Sequence, residues 1–202
     1  MDKNILDKLT AGVGRLFSGG KINLGGVLNG VKAAAGNKTQ TYTFNALPAN
    51  VAEMQALPEA SLTDVYAVAA LSVVALARYE SSPEDCFAML NFLKGPDPLS
   101  TAEIQHIRDR FMDGKTYKPR SFFEGAVPAN NYTPAQPWRV KVSSNPYSFP
   151  EEGWATLYVK SGGADSERPL RLRKKPSTGQ WFVVEIQYLG DIRIPAAQDK
   201  WR

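Results

Sequence analysis

The chain is poor in the residues that most metal sites and covalent nucleophiles require. Its 202 residues include one cysteine, Cys86, and one histidine, His106. A lone cysteine cannot form an internal disulfide, and this pair is too small for a His/Cys metal cluster, so we expect no bound metal. A Cys–His nucleophile would need the two side chains adjacent in space. Cys86 lies in the apolar stretch CFAML and His106 among polar neighbours, which favours structural roles for both.

The glycine-rich and acidic stretches lack the spacing of known catalytic motifs. Residues 19–30 are rich in glycine, but Arg15 stands where a Walker loop needs its first glycine and Ile22 where it needs serine or threonine. No G-x-G-x-x-G turn follows a predicted strand, so we expect no cofactor. Glu151 or Glu152, together with Asp191, could form a catalytic carboxylate pair, yet turn acids are usually solvated. We therefore expect no catalytic residue and favour a protein that is not an enzyme.

No hydrophobic run is long enough to cross a bilayer. The most apolar run, Val65 to Ala77, is shorter than the roughly 20 residues that a transmembrane helix needs. The first residues include Asp2 and Asp7 and lack the unbroken apolar stretch of a signal peptide. We therefore expect a cytoplasmic protein without a transmembrane segment.

The composition is otherwise that of an ordinary globular protein with polarised charge. The chain is 43% hydrophobic and 22% charged, and its net charge is +4. Basic residues are in excess in residues 1–40 and 114–202, whereas acidic residues are in excess between them. Such an uneven distribution can steer charged partners towards one face of the molecule.

The sequence character changes near residue 40. Residues 1–40 predict an amphipathic helix followed by a flexible glycine-rich segment, because Leu6, Leu9 and Val13 recur at helical spacing and glycine weakens the remainder. Residues 41–202 predict a single globular α+β domain. The predicted helix either frays or docks on that domain, as chain termini commonly do, or it binds a membrane surface or a protein partner.

Helix signals dominate the first half of the predicted domain. Ser61 precedes a continuous apolar run, Ser82 precedes a proline, and Ser100 is followed three residues later by Glu103, so each serine is a predicted N-cap. The first of these helices is apolar on nearly every side, which predicts a position at the centre of the fold.

Strand signals dominate the last third of the chain. The stretches with alternating or β-prone residues are WRVKVSS, GWATLYVKS, RPLRLRK and QWFVVEIQYL. This order predicts an α+β fold in which the helices of the first half pack on a C-terminal antiparallel β-sheet. The order of elements is similar to that of an NTF2-like or cystatin-like cone.

Four cations crowd one predicted hairpin. Arg171, Arg173, Lys174 and Lys175 precede the turn KPSTG, and Trp181 follows it. With a period of two, Arg171 and Arg173 face one side of the strand. This pattern is typical of the solvent side of a hairpin, where lysines also discourage edge-to-edge pairing. The four residues are therefore also the candidate surface for an anion or a partner.

A long loop precedes the predicted strands. The stretch YKPRSFFEGAVPANNYTPAQP is longer than a plain connection needs, so it wraps the domain or forms part of a site. Ligand pockets are mostly apolar with a few polar groups. The candidate rim of such a pocket is Phe122, Phe123, Asn131 and Tyr132.

Several long strings carry a resemblance to a known family. They include FNALP, AMLNFLKGPDPLS, YKPRSFFEGAVPANNYTP and LRLRKKPSTGQWFVVEIQYLGDIRIPAAQDKW. Together they resemble an uncharacterised bacterial family that is known only as a domain of unknown function, over roughly residues 42–201. The resemblance implies one domain and a bacterial source. The family brings no assigned activity, cofactor or catalytic residue, so no site is transferred.

These observations favour a non-enzymatic binding or adaptor protein that acts through protein contacts, with the N-terminal helix as one docking element. A homo-oligomer is left open. One alternative is a small-molecule-binding domain or an enzyme with a pocket between helices and sheet. A second alternative is a basic surface that binds RNA or anionic lipid. We do not expect nucleic acid as the partner, because no recognised nucleic-acid motif accompanies the charge.

Overall fold

The computed structural model describes residues 38–201. The predicted amphipathic helix lies outside the described residues, as does nearly all of the predicted glycine-rich segment. Strand β1 spans Thr39–Phe44, so the first strand begins two residues before the predicted domain boundary at residue 41.

Four α-helices and four further strands follow β1 in the described part of the chain. The helices are α1 (Val51–Gln55), α2 (Val65–Ala77), α3 (Pro83–Lys94) and α4 (Thr101–Phe111). The strands are β2 (Trp138–Ser143), β3 (Trp154–Val159), β4 (Arg168–Lys174) and β5 (Trp181–Ile186). Helices in the first half and an antiparallel sheet at the C-terminal end confirm the predicted α+β class.

The predicted N-caps of α3 and α4 are confirmed, whereas that of α2 is wrong. The Ser82 hydroxyl accepts from the backbone N–H of Asp85, and Ser100 and Glu103 form a reciprocal capping box. Ser61 instead ends a short 3₁₀ turn, because Leu62 then takes a left-handed conformation (φ 61°) that no helix can continue. The cap of α2 is Asp64, whose carboxylate accepts from the N–H of Tyr66.

The sheet is an antiparallel meander in the order β1-β2-β3-β4-β5, and it opens in the middle. Strands β2 and β3 pair only at Val142↔Val159 and Ser143↔Tyr158. Beside the rest of β2 lies the long loop, which forms a bridge from Phe123 to Val140. This loop therefore acts as a partial strand that fills the gap and closes the sheet over the core.

Helix α2 lies at the centre of the fold and contacts all five strands as well as α3. Twelve of its residues are buried, which confirms the expectation from its apolar sequence. Both edge strands reach the segment before α2: Tyr42 donates to the Asp64 carboxylate at 2.6 Å, and the N–H of Trp181 donates to the carbonyl of Leu62 at 2.7 Å. The sheet therefore curves around α2. The finer likeness to an NTF2-like or cystatin-like cone stays a prediction.

One hydroxyl pair interrupts this apolar centre. The Ser72 hydroxyl on α2 donates to the Ala69 carbonyl at 2.7 Å and lies 2.9 Å from the hydroxyl of Tyr188. Burial raises the pKa of Tyr188, so its phenol stays neutral. Both hydroxyl groups are hydrogen-bonded, as buried polar groups usually are.

Within residues 38–201, no helix is long and apolar enough to cross a membrane.

A buried ion pair joins α3 to α4 and to the edge of β5. The Lys94 ammonium donates to Glu103 at 2.8 Å and to the carbonyl of Val184 at 3.3 Å. The Lys94 side chain is only 4% exposed, whereas that of Glu103 is 40% exposed. Burial opposes ionisation of Glu103, but hydrogen bonds from Lys94 and Ser100 outweigh it and hold the pKa of this carboxyl below its ordinary value.

We expect Glu103→Gln to lower the free energy of unfolding at neutral pH by roughly 1–2 kcal/mol, because Lys94 loses its charged partner while staying buried. The effect lies at the low end for a buried charge, since Glu103 itself is partly screened by water. Urea denaturation measures it, with Glu152→Gln at an exposed turn as the matched control.

The same pair predicts a pH dependence. A carboxyl whose pKa is depressed on folding adds stability above its unfolded pKa, about 4.3. That stability is lost as the pH falls through the folded pKa. The stability gap between the natural chain and Glu103→Gln should therefore narrow as the pH falls below about 4.3, the unfolded pKa. A gap that stays constant between pH 7 and pH 3 would show that the charge of Glu103 contributes nothing.

Candidate functional site

The predicted basic hairpin is formed by β4 and β5. The N–H of Lys175 donates to the carbonyl of Gln180 at 2.7 Å and closes the turn, in which Gly179 supplies a positive φ of 72°. Leu170 and Leu172 of β4 are buried, while the cations between and after them are exposed. The alternation predicted from the sequence is thus present, and it carries Arg171 and Arg173 to the outer face of the sheet. Lys174 and Lys175 are exposed beside them, at the end of the strand and in the turn.

Trp154 lies at the centre of these cations. It is opposite Arg173 across the β3–β4 pair, and Arg173 is opposite Phe182 across the β4–β5 pair. Directly opposed residues of an antiparallel pair share one face. The outer face therefore presents a row of ring, guanidinium and ring. We call Trp154, Arg171, Arg173, Lys174 and Lys175 together the Trp154 surface.

Two guanidinium groups contact the same indole. The Cζ atom of Arg171 lies 5.2 Å and that of Arg173 lies 5.0 Å from the centre of the Trp154 ring. Lys174 lies 6.0 Å from the ring of Trp181. These distances are those of cation–π contacts. Because the contacts restrict side chains that would otherwise be free in water, they place the positive charges in advance of any ligand.

Few acids neutralise the Trp154 surface. Arg171 forms a long ion pair of 3.7 Å with Glu185. In the part of the chain that the structure describes, no acidic side chain pairs with Arg173, Lys174 or Lys175. A cluster of cations with one weak internal partner favours an anionic ligand from outside.

A cleft of about 300 Å³ adjoins the Trp154 surface. The segment after α3 forms its opposite wall, with Pro96 and Asp97, and Phe182 forms part of its floor. Gly95 packs so closely on Phe182 that a β-carbon there would overlap the ring. The wall is therefore fixed against the sheet, and the cleft has an aromatic floor with a basic rim.

The residues of the predicted pocket rim do not lie around one opening. Phe122, Phe123 and Tyr132 are buried in the core, and Asn131 is exposed. Tyr132 stacks on Tyr117 with ring centres 5.3 Å apart and donates to the carbonyl of Arg193 at 2.6 Å. Burial raises the pKa of Tyr132 to about 12, so its hydroxyl acts as a structural donor.

Phe122 and Phe123 nevertheless border a second cleft on the outer face, of about 430 Å³. Its polar lining is Glu124, Arg139, Lys141 and Lys160. Glu124 accepts from Arg139 at 2.8 Å and pairs with Lys141 at 3.4 Å. The hydrogen bond from Arg139 lowers the pKa of Glu124 and keeps it ionised. This cleft is therefore more nearly balanced in charge than the Trp154 surface.

The residues considered for catalysis have ordinary environments. Cys86 is fully buried, and burial raises the pKa of its thiol, which suppresses the reactive thiolate. His106 is exposed on α4 and borders a cleft of about 330 Å³ between α4 and β5. Glu151 and Glu152 are exposed in the turn before β3. Among the described residues, no group of three or more His, Cys, Asp or Glu side chains could hold a metal ion.

The sequence pattern alone does not connect Trp154 with the basic strand. The signal was present, because Trp154 and Arg173 both occupy the outward positions of their alternating strands. What was missing was the register of the β3–β4 pair, which decides that these two outward residues are opposite each other.

Comparison with known proteins identifies a family and nothing closer. No curated protein and no solved structure matches the chain. One family model matches residues 46–196, which is most of the globular part and more than half of the chain. The resemblance found in the sequence is thereby confirmed: the chain belongs to the family described as Domain of unknown function (DUF6935).

Proposed function

We propose that the chain is a non-enzymatic binding protein that engages an acidic protein partner through the Trp154 surface. The observation that carries the proposal is the arrangement of Arg171 and Arg173 on one indole, beside Lys174 and Lys175. Among the described residues, Glu185 is the one acid that pairs with any of them. Tryptophan and arginine are the residue types that most often dominate the free energy of protein–protein binding. Carboxylates of a partner are the complementary groups.

The Trp154 surface has several features that suit the binding of an acidic protein partner. A guanidinium group can donate to both oxygens of one carboxylate at once, and the contacts with Trp154 restrict the motion of Arg171 and Arg173 before a partner arrives. Lys174 and Lys175 at the tip of the hairpin extend the positive field into solvent, where it raises association rates. The adjoining cleft with Phe182 offers apolar area beside the charges.

The decisive experiment reverses the charges of this surface. The triple variant Arg173→Glu, Lys174→Glu, Lys175→Glu is compared as bait with a control of equal net charge, Arg108→Glu, Arg110→Glu, Lys200→Glu, whose residues are exposed elsewhere. Extracts of the source organism are treated with nuclease and cleared of membranes. We expect the control and the natural chain to retain the same stoichiometric partner and the Trp154-surface variant to lose it.

Three further readouts distinguish the alternatives. Recovery of the partner should fall with added salt, since the contact depends on charge. Capture that requires intact RNA or membranes would replace a protein partner by the basic-surface alternative. Equal capture by both charge variants would refute the Trp154 surface. A bait that begins at Lys38 tests whether residues 1–37, the predicted docking helix among them, add to the contact.

The second candidate function is a small-molecule-binding domain. The cleft beside Phe122 and Phe123 favours it, because it combines buried aromatic rings with Arg139, Lys141 and Lys160. This composition suits a small anion with an apolar part. A screen of small carboxylates and phosphates by thermal shift, repeated with Lys160→Ala, tests it.

A location in the bacterial cytoplasm stays a prediction, consistent with a single, unpaired cysteine.

A further inference from the structure

The first strand of the sheet is an unprotected edge. Strand β1 has the sequence TQTYTF, with no charged residue and no proline. It pairs with β2 over all six residues in one continuous register, without a bulge. Within residues 38–201, no strand pairs with its other side. Natural proteins usually protect such an edge with charge, proline, a bulge or a covering segment, because the free backbone groups recruit further strands.

The backbone groups that face outward can be identified. The carbonyl of Lys38 accepts from Ser144, so Lys38 points its backbone towards β2. The carbonyls of Arg139 and Lys141 are bonded on the opposite side of β2, to Glu124 and Lys160. Since backbone groups alternate sides along a strand, the N–H and C=O groups of the three intervening threonines point away from β2. These are Thr39, Thr41 and Thr43, whose side chains are also exposed.

The opposite edge of the same sheet is protected. On β5, the N–H of Trp181 is bonded to Leu62, and the carbonyl of Val184 accepts from the buried Lys94. Val184 is also the extra residue of a bulge, since Arg171 pairs with Glu185 and Leu172 with Val183. One edge of this sheet thus carries several of the usual protective devices, and residues 38–201 provide none of them for β1.

We propose that β1 pairs antiparallel with β1 of a second copy of the chain, with a two-fold axis through Thr41. Opposed residues must share a face, so Thr41 lies opposite Thr41 and Thr39 opposite Thr43. This register uses every outward backbone group of the strand and forms about six hydrogen bonds, two for each hydrogen-bonded pair. It also places threonines opposite threonines, a favourable cross-strand combination. The result is a continuous ten-stranded sheet, five strands from each copy.

An uncharged edge makes a second copy the fitting occupant. The Trp154 surface lies on β3 and β4, at least two strands away from β1 in the sheet order, so two chains of net positive charge can meet at β1 without opposing their Trp154 surfaces. A two-fold interface requires one surface to complement itself, and the threonine row does so. The dimer would carry two copies of the Trp154 surface and leave both free.

Sedimentation velocity of the full chain over a wide range of concentrations tests the proposal. We expect the mass to rise with concentration from that of the 22.2 kDa chain to twice that value. Thr41→Lys and Thr41→Glu should each weaken dimerisation by about ten-fold or more, because like charges then oppose each other across the axis. Mixing the two variants should restore a dimer, and Thr41→Val should leave it unchanged.

The outcomes separate the proposal from its rivals. Circular dichroism checks that each variant keeps the natural fold, which an exposed position permits. Restoration in the mixture requires residue 41 to face its own copy, so a dimer that is insensitive to both charges, or one that the mixture does not restore, overturns the proposed register. A full chain that stays monomeric at every concentration overturns the dimer. If a chain starting at Lys38 dimerises while the full chain does not, residues 1–37 cover the edge instead.

Discussion

Leu71→Ala is expected to lower the free energy of unfolding by about 2–5 kcal/mol, the range for truncating a fully buried leucine. Leu71 lies in the middle of α2 and is completely inaccessible to water. Because α2 contacts all five strands on one side and α3 on the other, neither layer can collapse into the space that the lost methyl groups leave. The cost therefore includes a cavity as well as the lost burial.

The matched control for this prediction is Leu47→Ala. Leu47 packs against the same core but is only partly buried, so solvent can fill the space that its truncation leaves. Urea denaturation followed by tryptophan fluorescence should give a clearly smaller loss for Leu47→Ala at an unchanged m-value. Equal losses at the two positions would contradict the central location of α2.

Helix α2 also shows how much of the fold can be predicted from the sequence. Its uniform apolar character predicts full burial without any knowledge of neighbours, because a polar face would be needed at a surface. Its start was harder to predict. Ser61 and Asp64 both have the chemistry of an N-cap, and the left-handed Leu62 decides between them. A positive φ at leucine costs energy, and the local sequence preferences do not predict it. The surrounding fold must therefore impose it.

The candidate site, too, can be predicted from the sequence only in part. The exposed position of Arg171 and Arg173 follows from alternation alone, and the structure has it. Their convergence on Trp154, which lies 17 and 19 residues earlier in the chain, depends on the register of the β3–β4 pair, and no local pattern encodes it. Phe122 and Phe123 show the converse case. Their aromatic character predicts a pocket rim, and they do border the second cleft. Their burial does not follow from that pattern: it arises because the loop replaces part of a strand and places its apolar side chains in the core.

That loop supplies the second large effect: Gly162→Ala is expected to cost about 3 kcal/mol, the upper end of what overpacking usually costs. A β-carbon at Gly162 would overlap the carbonyl oxygen of Ala126. A flexible side chain could move aside, but this neighbour is backbone. Two backbone hydrogen bonds hold the segment that leads to Ala126 in place. The N–H of Gly162 donates to the carbonyl of Ser121 at 2.8 Å, and the N–H of Glu124 donates to the carbonyl of Arg139 at 2.8 Å.

Gly190→Ala separates this steric effect from the general effect of adding a methyl group. Gly190 has no atom within reach of an added β-carbon, and its φ lies outside the left-handed region. The same substitution there should be neutral or stabilise the fold by about 0.4–1 kcal/mol, because alanine restricts the unfolded chain. Thermal unfolding of the two variants measures the contrast. If the loop seals the gap between β2 and β3, Gly162→Ala must also speed hydrogen exchange at two amides of the loop. These are the N–H of Glu124, which donates to the carbonyl of Arg139 in β2, and the N–H of Ala135, which donates to the carbonyl of Glu124. Loss of stability without faster exchange at these two amides would mean that the strain is absorbed elsewhere and that the loop does not close the sheet.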